Sequence, residues 1–335
     1  YTGYYTNLPS DKLELIIDIE SDRMRNLLFD ISEIDSEREV VKEERRMRYD
    51  NSVYGSLFEL ITTTIYKTSS YRWPVIGYMA DLNDTKIDEL KSFYYSYYAP
   101  NNAVVVIAGD VTISQAKKLI EKYYEPIFRQ DLPQIKLESE TEQKSTRTAR
   151  LEKDVQSVTL AVVYPGVKVD HSDVYALDLL ASAMGSGSSS RLYKRIVYNN
   201  ELATSVSMSS HNSNLSGELS FYASLKPNVS VHRVLSLLDD ELKKIKTILV
   251  AEKELEKLKN QVELSYIRGL QTMSSRAQAL ALNEIIFGDY RKLFEDIDKY
   301  EAVTAEDIRR VANTYIIPSK KNIVQIVPKK GSGRQ

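Results

Sequence analysis

The chain has 335 residues, 42% of them hydrophobic, with 45 basic against 47 acidic side chains and a formal charge of -2, the profile of a globular protein long enough for two domains. This near balance gives no net field to hold a polyanion, which argues against nucleic acid as the main partner, and the longest apolar run, 103–108, is far short of the ~20 residues that span a bilayer. The absence of cysteine removes disulfides, thiolate metal sites and cysteine nucleophiles together.

In chain order, the pattern predicts a helix over about 11–29 and a second opening at Ser36, where Glu39 three residues on completes a capping box. This second helix carries Glu37 and Glu44, two turns apart and therefore on one side, together with Val40, Val41 and Met47; Arg38, Lys42, Arg45 and Arg46 point elsewhere. Carboxylates on an inward, apolar stripe need a positive partner. A buried Arg or Lys is one candidate and a metal ion is the other.

Further helices are expected over 52–66, 85–98 and 112–124, with the strand-like run Ala103-Val104-Val105-Val106-Ile107 between the last two. Residues 129–147 are polar and aperiodic and read as a linker. Beyond it come a buried strand at 157–164, a helix at 173–184, a Gly/Ser stretch at 184–190, strands at 202–209 and 218–224, and helices at 229–249, 252–269 and 304–315. A last strand covers Ile323 to Val327. Helices and antiparallel strands segregated in this way indicate an α+β fold. The Gly/Ser stretch lacks the G-x-x-x-x-G-K-[ST] order of a phosphate loop and reads as a flexible helix entry.

The chain also repeats. Thr85 to Asp88 opens a helix that ends before Pro100 and a strand-like run, and Thr304 to Asp307, 219 residues later, does the same before Pro318. The same offset maps Tyr71-Arg72 onto Tyr290-Arg291, so a duplicated α+β unit is expected. Mapped back, the start of the second unit falls about seventy residues before Tyr1, so the first unit is expected to be truncated in this chain. The offset also provides an internal control: Glu37 and Glu44 correspond to Glu256 and Glu263, which share a face with Lys259 and Asn260 and should be solvated.

Several strings coincide with one family: Tyr4-Tyr5 with Leu8-Pro9, Ile19-Glu20-Ser21-Asp22-Arg23-Met24, Glu37-Arg38-Glu39-Val40-Val41-Lys42-Glu43-Glu44, Tyr71-Arg72-Trp73-Pro74-Val75-Ile76-Gly77, Tyr97-Tyr98-Ala99-Pro100-Asn101-Asn102-Ala103, Gly109-Asp110-Val111 and Ser189-Ser190-Arg191-Leu192-Tyr193. Together they resemble the pitrilysin/insulinase-like zinc peptidases of the short bacterial and mitochondrial-processing-peptidase type. The resemblance implies two homologous α/β sandwich domains: an incomplete metallopeptidase-like domain at 1–128, the linker at 129–147 and a non-catalytic domain at 148–330. It also implies a Zn2+ site built on an inverted H-x-x-E-H helix, with a third ligand on a downstream helix whose glutamates stand seven apart. By this match Glu44 is the metal ligand and Glu37 a supporting carboxylate, while the general base is the motif glutamate.

Only His171, His211 and His232 are present, none in such a motif, and the family spacing places the motif roughly thirty residues before Tyr1. The resemblance further implies endopeptidase action on peptides or unfolded, extended segments inside a dimeric chamber, formed as a homodimer or as a heterodimer with a homologous subunit. The alternatives are a non-catalytic partner subunit of the same fold and a peptide-binding module without cleavage. The Gly/Ser stretch is implied to touch substrate, and a bacterial periplasmic setting follows by analogy alone; Tyr71 to Trp73 could orient a substrate but read rather as packing a domain corner.

Overall fold

The computed structural model describes residues 1–329. Its helices and strands run α1 (Leu13–Arg25), α2 (Ile31–Arg45), α3 (Val53–Ile65), α4 (Met79–Asp84), α5 (Ile87–Tyr97), α6 (Ile113–Tyr124), β1 (Arg147–Lys153), β2 (Thr159–Pro165), α7 (Val174–Gly185), β3 (Ala203–Asn212) and β4 (Gly217–Leu225). After these come α8 (Val231–Thr247), α9 (Glu252–Gly269), α10 (Met273–Phe287), α11 (Asp296–Ala302), α12 (Ala305–Tyr315) and β5 (Asn322–Pro328). The fold is α+β, with one sheet among the described residues.

The chain divides into two compact units that are discontinuous in sequence: 1–41, 79–136 and 263–297 form the first, and 42–78, 137–262 and 298–329 form the second. The 219-residue offset carries 42–78 onto 261–297. Each repeat therefore hands an equivalent segment to the other unit.

The second unit holds the sheet, in the order β1-β5-β2-β4-β3. β1 runs parallel to β5 and the remaining pairs are antiparallel. One face packs on α7, α8 and α12 through Leu160, Val162, Leu219 and Phe221. The opposite face is covered by α3, whose Leu57, Ile61 and Ile65 meet Ala161, Val163, Val324 and Ile326. Covered on both faces, β2 has to be apolar at successive positions, and Thr159 to Tyr164 are all buried. Tyr66 and Tyr222 join the α3 side, and burial pushes both hydroxyls up to about 12.

The first unit is helical. Among the described residues its buried apolar side chains are Ile17, Tyr94, Ala99 and Leu293. The run 103–107 forms no strand: it is paired with no strand among the described residues, and Val104 and Val105 are exposed. A strand exists only as part of a ladder, so apolar, β-branched composition does not make one where no partner strand lies alongside. Its repeat equivalent, β5, lies between β1 and β2 and is fully formed.

Two helix starts differ from the expected ones. α2 begins five residues before Ser36 because the Asp30 carboxylate accepts from the backbone N–H groups of Ser32 (2.8 Å) and Glu33 (3.2 Å) and takes the capping role. Thr85 donates back to the Asp81 carbonyl instead of capping forward, and α5 starts at Ile87 with Glu89 accepting from the Lys86 N–H. The Thr304 capping box forms as expected. α10, capped by Thr272 and ended by Gly288 in the left-handed region (φ 68°), was not expected.

Because Ile61 is fully buried between α3 and the sheet, Ile61→Ala should destabilise the protein by about 2–5 kcal/mol in urea unfolding. Glu218 yields a pH prediction. It is 8% exposed on the α3 face of β4, opposite His211 across the strand pair, and burial pushes its carboxyl up, only partly offset by nearby Ser220 and His211. A folded-state carboxyl that holds its proton above the ordinary value of 4.5 gives stability that falls as pH rises from there through the raised value. Glu218→Gln should abolish that decline and equal or exceed the wild-type melting temperature at pH 8, read by thermal melts across pH.

Candidate metal-ligand helix

α2 presents Glu37 and Glu44 on one side, as expected, but that side faces outward. Val40 is 57% and Met47 63% exposed, Glu37 is exposed, and Glu44 is half-buried. The inward residue is Arg45, 5% exposed, which the sequence pattern had placed away from the interior. One residue further along a helix is about 100° round it, so an outward Glu44 and an inward Arg45 are compatible.

Arg45 is held from several directions. Its Nη2 donates to both Glu59 oxygens at 3.1 and 2.9 Å, its Nη1 donates to the Gly77 carbonyl at 2.9 Å, and Asp50 lies 3.5 Å away. The rings of Tyr49 and Tyr78 flank the guanidinium at 5.5 and 5.6 Å. Glu59 is the lone charge in α3, a helix otherwise built from apolar and hydroxyl residues. A solitary carboxylate in such a helix demands a cation, and that signal in the sequence could have paired it with Arg45.

After Arg45 the helix widens into a π turn over Arg46–Asp50, closed by the Asn51 N–H donating to the Arg46 carbonyl at 2.8 Å. α3 begins at once, capped by Ser52. Gly55 allows the close approach, since a Cβ there would collide with the backbone of Arg48 and Tyr49. Lys153 of β1 donates to the Asp50 carbonyl (2.5 Å) and Ser56 Oγ (2.6 Å), tying this corner to the sheet.

With the Arg45 charge balanced by Glu59, neither acidic residue on the outer side of α2 pairs with it. Glu44 pairs with Arg48 at 3.1 Å, an i,i+4 contact whose arginine is 71% exposed, and Glu37 has no ion pair among the described residues. An exposed pair of this kind contributes about 0.3–0.5 kcal/mol, so it holds the Glu44 carboxylate only weakly. As a hard oxygen donor with a loosely held partner, Glu44 fits one zinc-ligand position. The described residues contain no group of three or more side chains that could hold a metal ion, so Glu44 stands without further candidate ligands among them.

The other expected residues fall into place separately. Glu256 and Glu263 on α9 are exposed, as the repeat control required. His171 accepts from the Asp173 N–H at 3.0 Å and His211 contacts Ser213 at 3.2 Å, so the histidines do not converge. Tyr71 accepts from the Leu215 N–H at 3.2 Å, a packing role, while Arg72 stacks over the exposed Trp73. In the Gly/Ser stretch Gly187 is in the left-handed region (φ 74°) and the buried Ser190 donates to its carbonyl. Arg191 then donates two hydrogen bonds to Glu254. Among the described residues no helix is long and apolar enough to cross a membrane.

Comparison with known proteins adds to this geometry. The model of the insulinase family (peptidase family M16) matches residues 1–77, and that of the peptidase M16 inactive domain matches residues 85–262. A zinc protease, PqqE, of Helicobacter pylori is 30% identical over 98% of this chain and 74% of its own length. The crystal structure of a protease from Helicobacter pylori superposes with a TM-score of 0.90 at 28% identity, covering 96% of this chain and 78% of that one. A peptidase M16 inactive domain from Pseudomonas fluorescens shares the fold, with a TM-score of 0.84 at 17% identity over 96% of this chain and 76% of that one.

Proposed function

The chain belongs to the M16 (insulinase) peptidase family, and from that premise we propose that it is part of a zinc-dependent endopeptidase acting on peptides or unfolded, extended polypeptide. The observation that carries this reading is the placement of Glu44. It stands in the last turn of α2 on a side free of the buried Arg45, paired among the described residues with the exposed Arg48. Similarity to a zinc protease along 98% of the chain supports the same assignment. In this reading Glu44 is the ligand this chain contributes and Glu37, seven residues earlier, is its supporting carboxylate. The histidine pair and the general base are, in this reading, not among the residues of this chain. The active assembly is a homodimer or a heterodimer with a homologous chain, enclosing a chamber that admits extended substrates.

A second reading, a non-catalytic partner subunit, is favoured by one observation: the match of 85–262 to a domain described as inactive. Reading the coding sequence upstream of Tyr1 for H-x-x-E-H separates the two readings.

In the full-length protein, Glu44→Gln should abolish stoichiometric zinc and cleavage of an unfolded peptide, while Glu37→Gln should retain zinc with about 10–100-fold weaker affinity. Unchanged metal content in Glu44→Gln, measured by elemental analysis, removes Glu44 from the site.

A further inference from the structure

A metal ligand has to be held within roughly 0.5 Å and 10–20° of its working geometry by its surroundings. Glu44 is the penultimate residue of α2, in the last turn, where helices ordinarily fray and where this one passes into a π turn. Its own side of the helix offers little support, since Val40 and Met47 are exposed there and Val41 is no more than half-buried. Restraint has to come from the adjoining side.

We infer that Arg45 is the positioning residue for Glu44. Its guanidinium, gripped by Glu59 of α3 and the Gly77 carbonyl, fixes the rotation and height of the helix end from which the Glu44 carboxylate projects. The inference rests on the zinc reading above and deepens it, assigning Arg45 and Glu59 a role in metal affinity that neither plays by contact.

The geometry distinguishes this pair from an ordinary internal ion pair. Nη2 alone reaches both Glu59 carboxylate oxygens, while the other terminal nitrogen is held elsewhere, so the guanidinium is pinned at two points. Nη1 spans to a different loop at Gly77, the Tyr49 and Tyr78 rings close the sides, and Nε has no acceptor among the described residues. A guanidinium so enclosed cannot rotate without losing several partners at once, and α2 cannot turn about its axis without moving it. α3 is in turn seated on the sheet by Leu57 and Ile61, which are 1% and 0% exposed. The rigid reference for Glu44 is therefore the sheet, reached through α3 and Arg45.

The test measures zinc affinity of the full-length protein by competition with a chromophoric chelator, for wild type, Glu44→Gln, Arg45→Lys, Glu59→Gln and Asp173→Asn. Arg45→Lys keeps the charge but loses the fork; Glu59→Gln keeps the shape but loses the charge. Both should bind zinc about 10–100-fold more weakly than wild type, with zinc-free circular dichroism unchanged for Glu59→Gln. Asp173→Asn breaks a comparable ion pair with Arg310 (2.7 Å) elsewhere in the second unit and should leave zinc affinity unchanged while lowering the urea midpoint. Wild-type affinity in both Arg45→Lys and Glu59→Gln, alongside lost zinc in Glu44→Gln, overturns the positioning role and leaves the zinc reading standing. Retained zinc in Glu44→Gln overturns the zinc reading, and the positioning role falls with it.

Discussion

A guanidinium sealed from water has to be neutralised and hydrogen-bonded where it sits, and Arg45 imposes that demand at the end of α2. Glu59 answers it. Leaving one member of a buried pair without the other typically costs ~3–5 kcal/mol, so the contact is strong enough to dictate which way the helix turns. Two consequences follow from the same bond. α2 is fastened to α3, and through α3 to the sheet. The acidic residues on the outer side of α2 are released from any duty to balance an internal charge, which leaves Glu44 with only an exposed arginine beside it.

The sheet sets a second constraint. β2 and β5 present apolar side chains on both faces, so helices on one face alone would leave Ala161, Val163, Val324 and Ile326 in water. The cover for the second face is α3, from the first repeat. Its repeat equivalent α10 is assigned to the first unit, where no residue of α10 is buried among the described residues and no strand lies with it. The same reciprocal handover thus yields a finished core where a sheet is present and open apolar surface where it is not. Leu28, Ile113 and Phe128 of the same unit are exposed as well.

What the sequence revealed and what it hid separate along physical lines. Segments whose order depends on local chemistry were legible: the Thr304 capping box, the apolar run of β2, and α9, expected at 252–269 and found there. The repeat was legible as well, and it anticipated the solvent-facing Glu256 and Glu263. Features decided by distant partners were not. The run 103–107 has strand composition but no ladder to join. Ser36 has capping chemistry, yet Asp30 reaches the N–H groups first. The inward side of α2 was misassigned because three apolar side chains outweighed one arginine in the pattern, while Arg45 is drawn inside by Glu59, a residue on another helix.

The two repeats show how far a pair of carboxylates can be reassigned by its neighbours. In α9, Leu255, Leu258 and Val262 turn toward the core of the second unit, and Glu256 and Glu263 lie outside that stripe, exposed. The equivalent positions in α2 are Ser36, Glu39 and Glu43, so α2 cannot bury the same side. Its apolar residues Val40, Val41 and Met47 instead stand where α9 has Lys259, Asn260 and Tyr266, on the side carrying Glu37 and Glu44. A helix side destined for bulk water does not need Val40 and Met47, and a core helix does not need two carboxylates. Acid and apolar groups are interleaved on this side of α2, where α9 has Lys259 and Asn260 between its acids. That contrast favours Glu44 over its repeat counterpart Glu263 for the proposed ligand role.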